Sequence, residues 1–133
     1  FAKSNLGLLN PFKGNSVHYP TKKWFHYAFT NTLSREESDS IFDKFVVPES
    51  RNIPRETLKK PGKIDFKKPH APMLFISGKK DHIIPASLNR KNFKRYKDKK
   101  SIRVHKIFEG CDHFIIGEDG WKEVATFVHK WLN

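Results

Sequence analysis

The chain has 133 residues, 37% of them hydrophobic and 14% aromatic, which suits one ordinary domain and argues against wholesale disorder. No stretch approaches the roughly 18 consecutive apolar residues of a membrane-spanning helix, and the single cysteine, Cys111, excludes an internal disulfide, so a reduced, cytoplasmic setting is expected. Lys and Arg total 26 against 14 Asp and Glu, a formal charge of +12 that marks a polyanion partner, or else a Lys-rich proteome or a fragment whose missing part is acidic.

The chain changes character near residue 70. Before it, Pro11, Pro20, Pro48, Pro54, Pro61 and Pro69 break a helical pattern into short pieces. The first predicted helix is 21–32, with Thr21 as N-cap and Trp24, Tyr27 and Ala28 on one face. The second is 34–46. There Ser34 and Glu37 have capping-box spacing, and Ile41, Phe42, Phe45 and Val46 form an apolar stripe that Pro48 ends. Residues 47–70 read as loop with one helical turn near 54–60.

After residue 70 strands alternate with helices. "PMLFIS" at 72–77 is a continuous apolar run, as expected of a strand covered on both faces. Pro85 opens a helix expected to run to about Asp98, with Leu88, Phe93 and Tyr96 turned inward. "SIRVHKIF" at 101–108 is the second strand, with Ile102 and Val104 on one side. "WKEVATFVHKWL" at 121–132 is a strongly amphipathic helix with Trp121, Val124, Ala125, Val128, Trp131 and Leu132 on one stripe. The expected class is α/β with a parallel sheet, yet only two strands are visible, too few to stand alone.

Ligands of open parallel sheets bind at the carboxyl ends of the strands. Asp81 lies four residues past the first strand, and His113 lies in the loop after the second. A carboxylate that accepts a proton from histidine Nδ1 fixes the tautomer and leaves Nε2 free to act as a base. The alternative for each residue alone is structural: an Asp after a strand is commonly a turn residue. Asp112 is less suited to the role, because neighbouring loop residues point apart.

The ordered run G-x-x-D at 78–81, helix, strand, G-x-x-H at 110–113 and closing helix resembles the C-terminal end of an α/β-hydrolase. The branch it resembles holds cap-bearing esterases, lysophospholipase-like enzymes and cofactor-free haloperoxidases. The family's triad order is serine, acid, histidine. The resemblance therefore implies that Asp81 is the triad acid and His113 the base. It implies residues 71–133 as the last two strands and helices of the core, and 1–70 as a helical cap. It also implies hydrolysis of a carboxylic ester or related acyl compound, with no cofactor and no metal.

The G-x-S-x-G elbow is missing. "GNSVH" at 14–18 lacks the second small residue and follows no strand, which makes Ser16 a poor nucleophile. The serine is expected in an N-terminal half outside this chain, and the chain alone is expected to be inactive. That half, or another copy, is expected to cover the open sheet edge.

Trp24, Tyr27, Ile83 and Phe114 are the candidate substrate-binding residues. Cys111 reads as a small buried residue rather than a nucleophile. Seven histidines without an H-x-x-x-H helix or a cysteine pair give poor support for a metal site. The basic stretch 90–106 carries nine Lys and Arg with Phe93 and Tyr96 between them. Charges at helical spacing usually form a solvated face; the interleaved aromatics would suit single-stranded nucleic acid, the less favoured partner, and a peripheral contact with an anionic membrane would also fit. The rival function is a non-catalytic basic binding module on the same scaffold.

Overall fold

The computed structural model describes Lys3, Gly7 and residues 10–133. The expected cap, 1–70, therefore begins partly outside the described residues. The architecture is mixed α/β with two small sheets. A 3-10 turn at Pro11–Lys13 leads to β1 (Val17–His18). Helices α1 (Lys22–Ala28) and α2 (Arg35–Phe45) follow, then β2 (Glu49–Ser50), the short α3 (Asn52–Glu56) and a second 3-10 turn at Lys60–Gly62. The second part runs β3 (Met73–Gly78), α4 (Ala86–Arg95), β4 (Arg103–Phe108) and α5 (Trp121–Leu132). Among the described residues no helix is long and apolar enough to cross a membrane.

In the first part, β1 and β2 form a two-residue antiparallel pair that no sequence pattern announced. Thr21 caps α1 as expected, its hydroxyl accepting from the Trp24 N–H at 3.2 Å. The helix ends at Ala28, four residues short of the expected 32. The reason is tertiary: the Thr30 hydroxyl bonds the Ser38 hydroxyl at 2.7 Å, and the Thr32 N–H reaches Asp112 at 3.0 Å, so the chain must straighten. The residue that α1 buries most completely beside Ala28 is Phe25, which the expected face omitted. Its ring stacks on Phe29 and meets Phe42 of α2 edge-on. The Ser34–Glu37 capping box of α2 is formed on both sides. Phe45, on the expected stripe, is 63% exposed. The helical turn expected near 54–60 lies slightly earlier, at 52–56.

In the second part β3 and β4 pair in parallel, in register from Met73↔Arg103 to Gly78↔Phe108. Successive strand side chains face opposite ways. Phe75 accordingly meets Phe93 of α4 on one face, and Ile76 packs with Phe108, Cys111 and Val124 below α5 on the other. Of β3 only Ser77 and Gly78 are buried, so the strand is not covered on both faces as its composition suggested. Helix α4 stops at Arg95 rather than near Asp98, because the Lys97 N–H turns to the Phe66 carbonyl and the Arg103 guanidinium takes the Phe93 and Tyr96 carbonyls. Ile102 precedes β4 and is 65% exposed, so it does not share a buried side with Val104. The bounds of α5 coincide with the amphipathic run.

Gly78 fixes how closely the two strand ends approach. A Cβ there would lie 2.6 Å from the Cys111 carbonyl oxygen and nearer still to that of Asp112, whereas a Cβ on Gly110 would meet nothing. Backbone atoms cannot swing aside as a side chain can. Gly78→Ala should therefore lower stability by about 1–3 kcal/mol, while Gly110→Ala should stay within about 0.5 kcal/mol of wild type. Denaturant midpoints of the two variants check this, and equal midpoints would contradict the close approach.

Candidate active site

The chain leaving β3 is stitched to the chain leaving β4. The Lys79 N–H donates to the Phe108 carbonyl and the Lys80 N–H to the Cys111 carbonyl, both at 2.9 Å. The next residue is Asp81. Its Oδ1 accepts the N–H groups of Ile83 at 2.7 Å and Ile84 at 2.8 Å, which locks the carboxylate to its own turn. Its Oδ2 is left to face His113, whose Nδ1 lies 2.9 Å away. The Asp81 side chain is 9% exposed and that of His113 29%. Asp81 is thus a turn residue and a histidine partner at once. Burial works to raise its pKa, but the His113 hydrogen bond and charge and the two backbone donors outweigh it, leaving the carboxyl below its ordinary value.

With Nδ1 donating to Asp81, Nε2 is the acceptor nitrogen of the neutral ring. It has no hydrogen-bond partner among the described residues. The Phe29 ring stands edge-on to the imidazole with centroids 4.8 Å apart and fixes its plane.

Asp112 has a different task. It is fully buried, and its two oxygens take the Phe114 N–H at 2.8 Å, the Thr32 N–H at 3.0 Å and the Thr32 hydroxyl at 2.8 Å. It clamps the turn that carries His113 to the segment after α1. The stretch 27–32, the end of α1 and the segment after it, is fastened at three further points. The Tyr27 carbonyl meets His82 Nδ1 at 2.7 Å, the Phe29 carbonyl accepts the Phe114 N–H at 3.1 Å, and the Asn31 amide donates to the Lys80 carbonyl at 3.2 Å. Both site loops therefore rest on one strap from the first part of the chain. Sequence reasoning missed Thr32 and the anchoring role of Asp112, which it weighed only as a rival to Asp81. The run Thr30-Asn31-Thr32, poor in helix formers and rich in short polar groups, was the available signal.

The four expected substrate-binding residues separate. Trp24 lines an apolar cavity of about 410 Å³ with Phe25, Phe29, Phe45, Val46 and Ile53. Phe29 links this cavity to the His113 ring. Tyr27 is not on its wall and stacks on His82 instead, with centroids 4.6 Å apart. Ile83 and Phe114 are also off that wall, and their backbone N–H groups serve Asp81 and Asp112. Ser16 is exposed in a turn, its N–H bonded to the Lys13 carbonyl, and does not stand at a strand-to-helix junction. Cys111 is buried, and burial together with the neighbouring Glu118 pushes its thiol up to about 12, which keeps it protonated and non-nucleophilic.

No family model, curated protein or solved structure matches this chain.

A carboxyl whose folded pKa is depressed stabilises the fold above its unfolded pKa and loses that contribution as pH falls through the folded value. Asp98 and Glu37 are also depressed, so the acid limb of stability is shared. Asp81→Asn should flatten part of that limb below about pH 4, and wild type and variant should converge at the acid end. Unfolding midpoints measured across that range test it. Parallel curves would show that Asp81 carries no special share.

Proposed function

We propose that this chain is the acid–base portion of a serine hydrolase of the α/β-hydrolase fold, acting on a carboxylic ester or related acyl compound. The observation that carries the reading is the 2.9 Å contact between Asp81 Oδ2 and His113 Nδ1, at the carboxyl ends of two adjacent parallel strands, with no partner for Nε2 among the described residues. Residues 71–133 would be the last two strands of the core and 1–70 a helical cap. A serine from an N-terminal portion outside this chain would attack the carbonyl carbon. Nε2 of His113 would take the serine proton and pass it to the leaving alcohol. The same nitrogen would then deprotonate the water that releases the acyl group. Asp81 would hold the ring in the donating tautomer and stabilise the imidazolium. No step draws on a metal or an organic cofactor. The single cysteine, Cys111, which leaves no internal disulfide, fits a reducing, cytoplasmic setting.

The apolar cavity supports an acyl group as the part of the substrate nearest His113. Phe29 forms part of its wall and touches the imidazole, so a chain lying against Phe29 would lead its carbonyl toward Nε2. The N-terminal portion would also occupy the free edge of β3 and the groove between β3 and α5. Ile76, Ile115, Trp121, Val128 and Leu132 line that groove. Trp121 is 46% exposed and Leu132 68% exposed there.

The direct test is labelling of the full-length protein by a fluorophosphonate, which requires a serine activated by His113. Labelling should occur outside residues 1–133 and vanish in His113→Ala. With p-nitrophenyl esters, His113→Ala and Asp81→Asn should each cost roughly 10³-fold or more in kcat. The isolated chain should be inert. A full-length protein that folds but neither labels nor hydrolyses any ester would favour the rival, a non-catalytic basic module.

Trp24→Ala gives a separate check on the cavity. It should reduce kcat/KM for medium-chain esters by roughly tenfold while leaving acetate esters nearly unchanged. A loss independent of chain length would remove the cavity from substrate binding.

A further inference from the structure

The amino end of the β3–β4 pair, opposite the Asp81–His113 edge, gathers charge from two separate stretches. Parallel strands in register start side by side, so the segments leading into them must also lie side by side. The lead-in to β3 is "KIDFKK" at 63–68, and the lead-in to β4 is "KRYKDKK" at 94–100. Cross-links join them. The Lys97 N–H donates to the Phe66 carbonyl at 3.2 Å, and the His70 N–H donates to Asp98 Oδ2 at 3.3 Å. The Ser101 hydroxyl donates to the Ala71 carbonyl at 2.9 Å, and Phe66 meets Tyr96 edge-on at 4.9 Å.

The two stretches hold eight Lys and Arg against two acids, Asp65 and Asp98. Both acids are already engaged by backbone N–H groups, Asp65 by Lys67, and Asp98 by His70 and Lys100. Lys67, Lys68, Lys97, Lys99 and Lys100 are exposed, and none of them has an ion-pair partner among the described residues. Two aliphatic side chains stand out at the same end, Ile64 within the first lead-in at 57% exposure and Ile102, between the second lead-in and β4, at 65%.

We propose that this end of the sheet docks on an anionic lipid bilayer, the lysines facing the headgroups and the two isoleucines entering the acyl boundary. Lysines with interspersed aliphatics suit that interface, because long basic side chains reach the headgroup level while apolar ones sink below it. Single-stranded nucleic acid fits less well. Such binding uses open aromatic faces, and the aromatics here are taken: Phe66 lies between Tyr96 and the Arg95 guanidinium, and Phe93 carries His105 and Arg103. Docking at this end would leave the Asp81–His113 edge facing away from the bilayer. The surface would set location and would not deliver substrate.

The experiment is co-sedimentation of the full-length protein with vesicles of phosphatidylcholine alone and with added phosphatidylglycerol. Binding should require phosphatidylglycerol and weaken as salt is raised. Each basic residue near such a surface contributes about fivefold in partitioning. Lys67→Glu with Lys68→Glu, and separately Lys99→Glu with Lys100→Glu, should each lower it by more than tenfold. The corresponding Lys→Gln pairs, which do not add negative charge, should give smaller losses and serve if a reversal variant fails to fold. Ile64→Ser with Ile102→Ser should remove the binding that survives high salt. Equal binding to both vesicles would overturn the proposal, as would binding indifferent to the lysine changes. So would an oligonucleotide being bound where neither vesicle is.

Discussion

Two backbones pass so closely at the end of the parallel pair that one of them can carry no side chain. Gly78 lies under the carbonyls of Cys111 and Asp112, and the site is built from that approach. Three residues past the glycine comes Asp81, and one residue past Asp112 comes His113. The register Gly78↔Phe108 sets where each loop leaves the sheet, and the Lys79 and Lys80 N–H groups hold the loops together beyond it. A wider separation would leave the carboxylate and the imidazole facing each other across water, where a hydrogen bond adds little.

Two carboxylates flank the histidine, and the structure divides their labour by environment. Asp81 reaches the ring with one oxygen because its other is held by its own turn. Asp112 is nearer in sequence, yet it faces inward to Thr32 and the Phe114 N–H, and its hydrogen bonds go there rather than to the imidazole. One orients the ring and the other anchors the turn that bears it. The strap at 27–32 completes the support. It comes from the first part of the chain, so the placement of His113 depends on the fold of residues far from it in sequence.

What could be read in the sequence was whatever is encoded locally. The α5 stripe, the Ser34–Glu37 box and the strand bounds near 73–78 and 103–108 depend on spacing within a few residues, and they were legible. The meeting of Asp81 and His113 was legible for a topological reason, since adjacent parallel strands must end at the same edge. The strap was not. Thr30, Asn31 and Thr32 are weak helix formers, yet without a Gly or Pro the sequence does not say where the helix stops, and their partners Ser38, Lys80 and Asp112 set its end at Ala28. Tyr27 failed for a related reason. A helical face shows which residues point together, but His82, 55 residues away, decides what that face meets. Ile102 shows the same limit at a strand start, where one residue's shift in boundary moves a side chain from sheet to solvent.

The two surfaces proposed here share one cause. A parallel pair has all its strand starts at one edge and all its strand ends at the other, so anything encoded in the lead-ins gathers at one edge and anything in the exits at the other. In this chain the exits carry an acid, a histidine and a glycine thin enough to join them. The lead-ins carry lysines that form no ion pair among the described residues. Six-residue strands separate the two edges by roughly 17–20 Å, beyond the screening length of about 8 Å at physiological salt. The positive end can therefore hold its charge without strongly perturbing the Asp81–His113 pair. An antiparallel hairpin of the same residues would have mixed one exit with one lead-in at each end. The acid would have been set apart from the histidine.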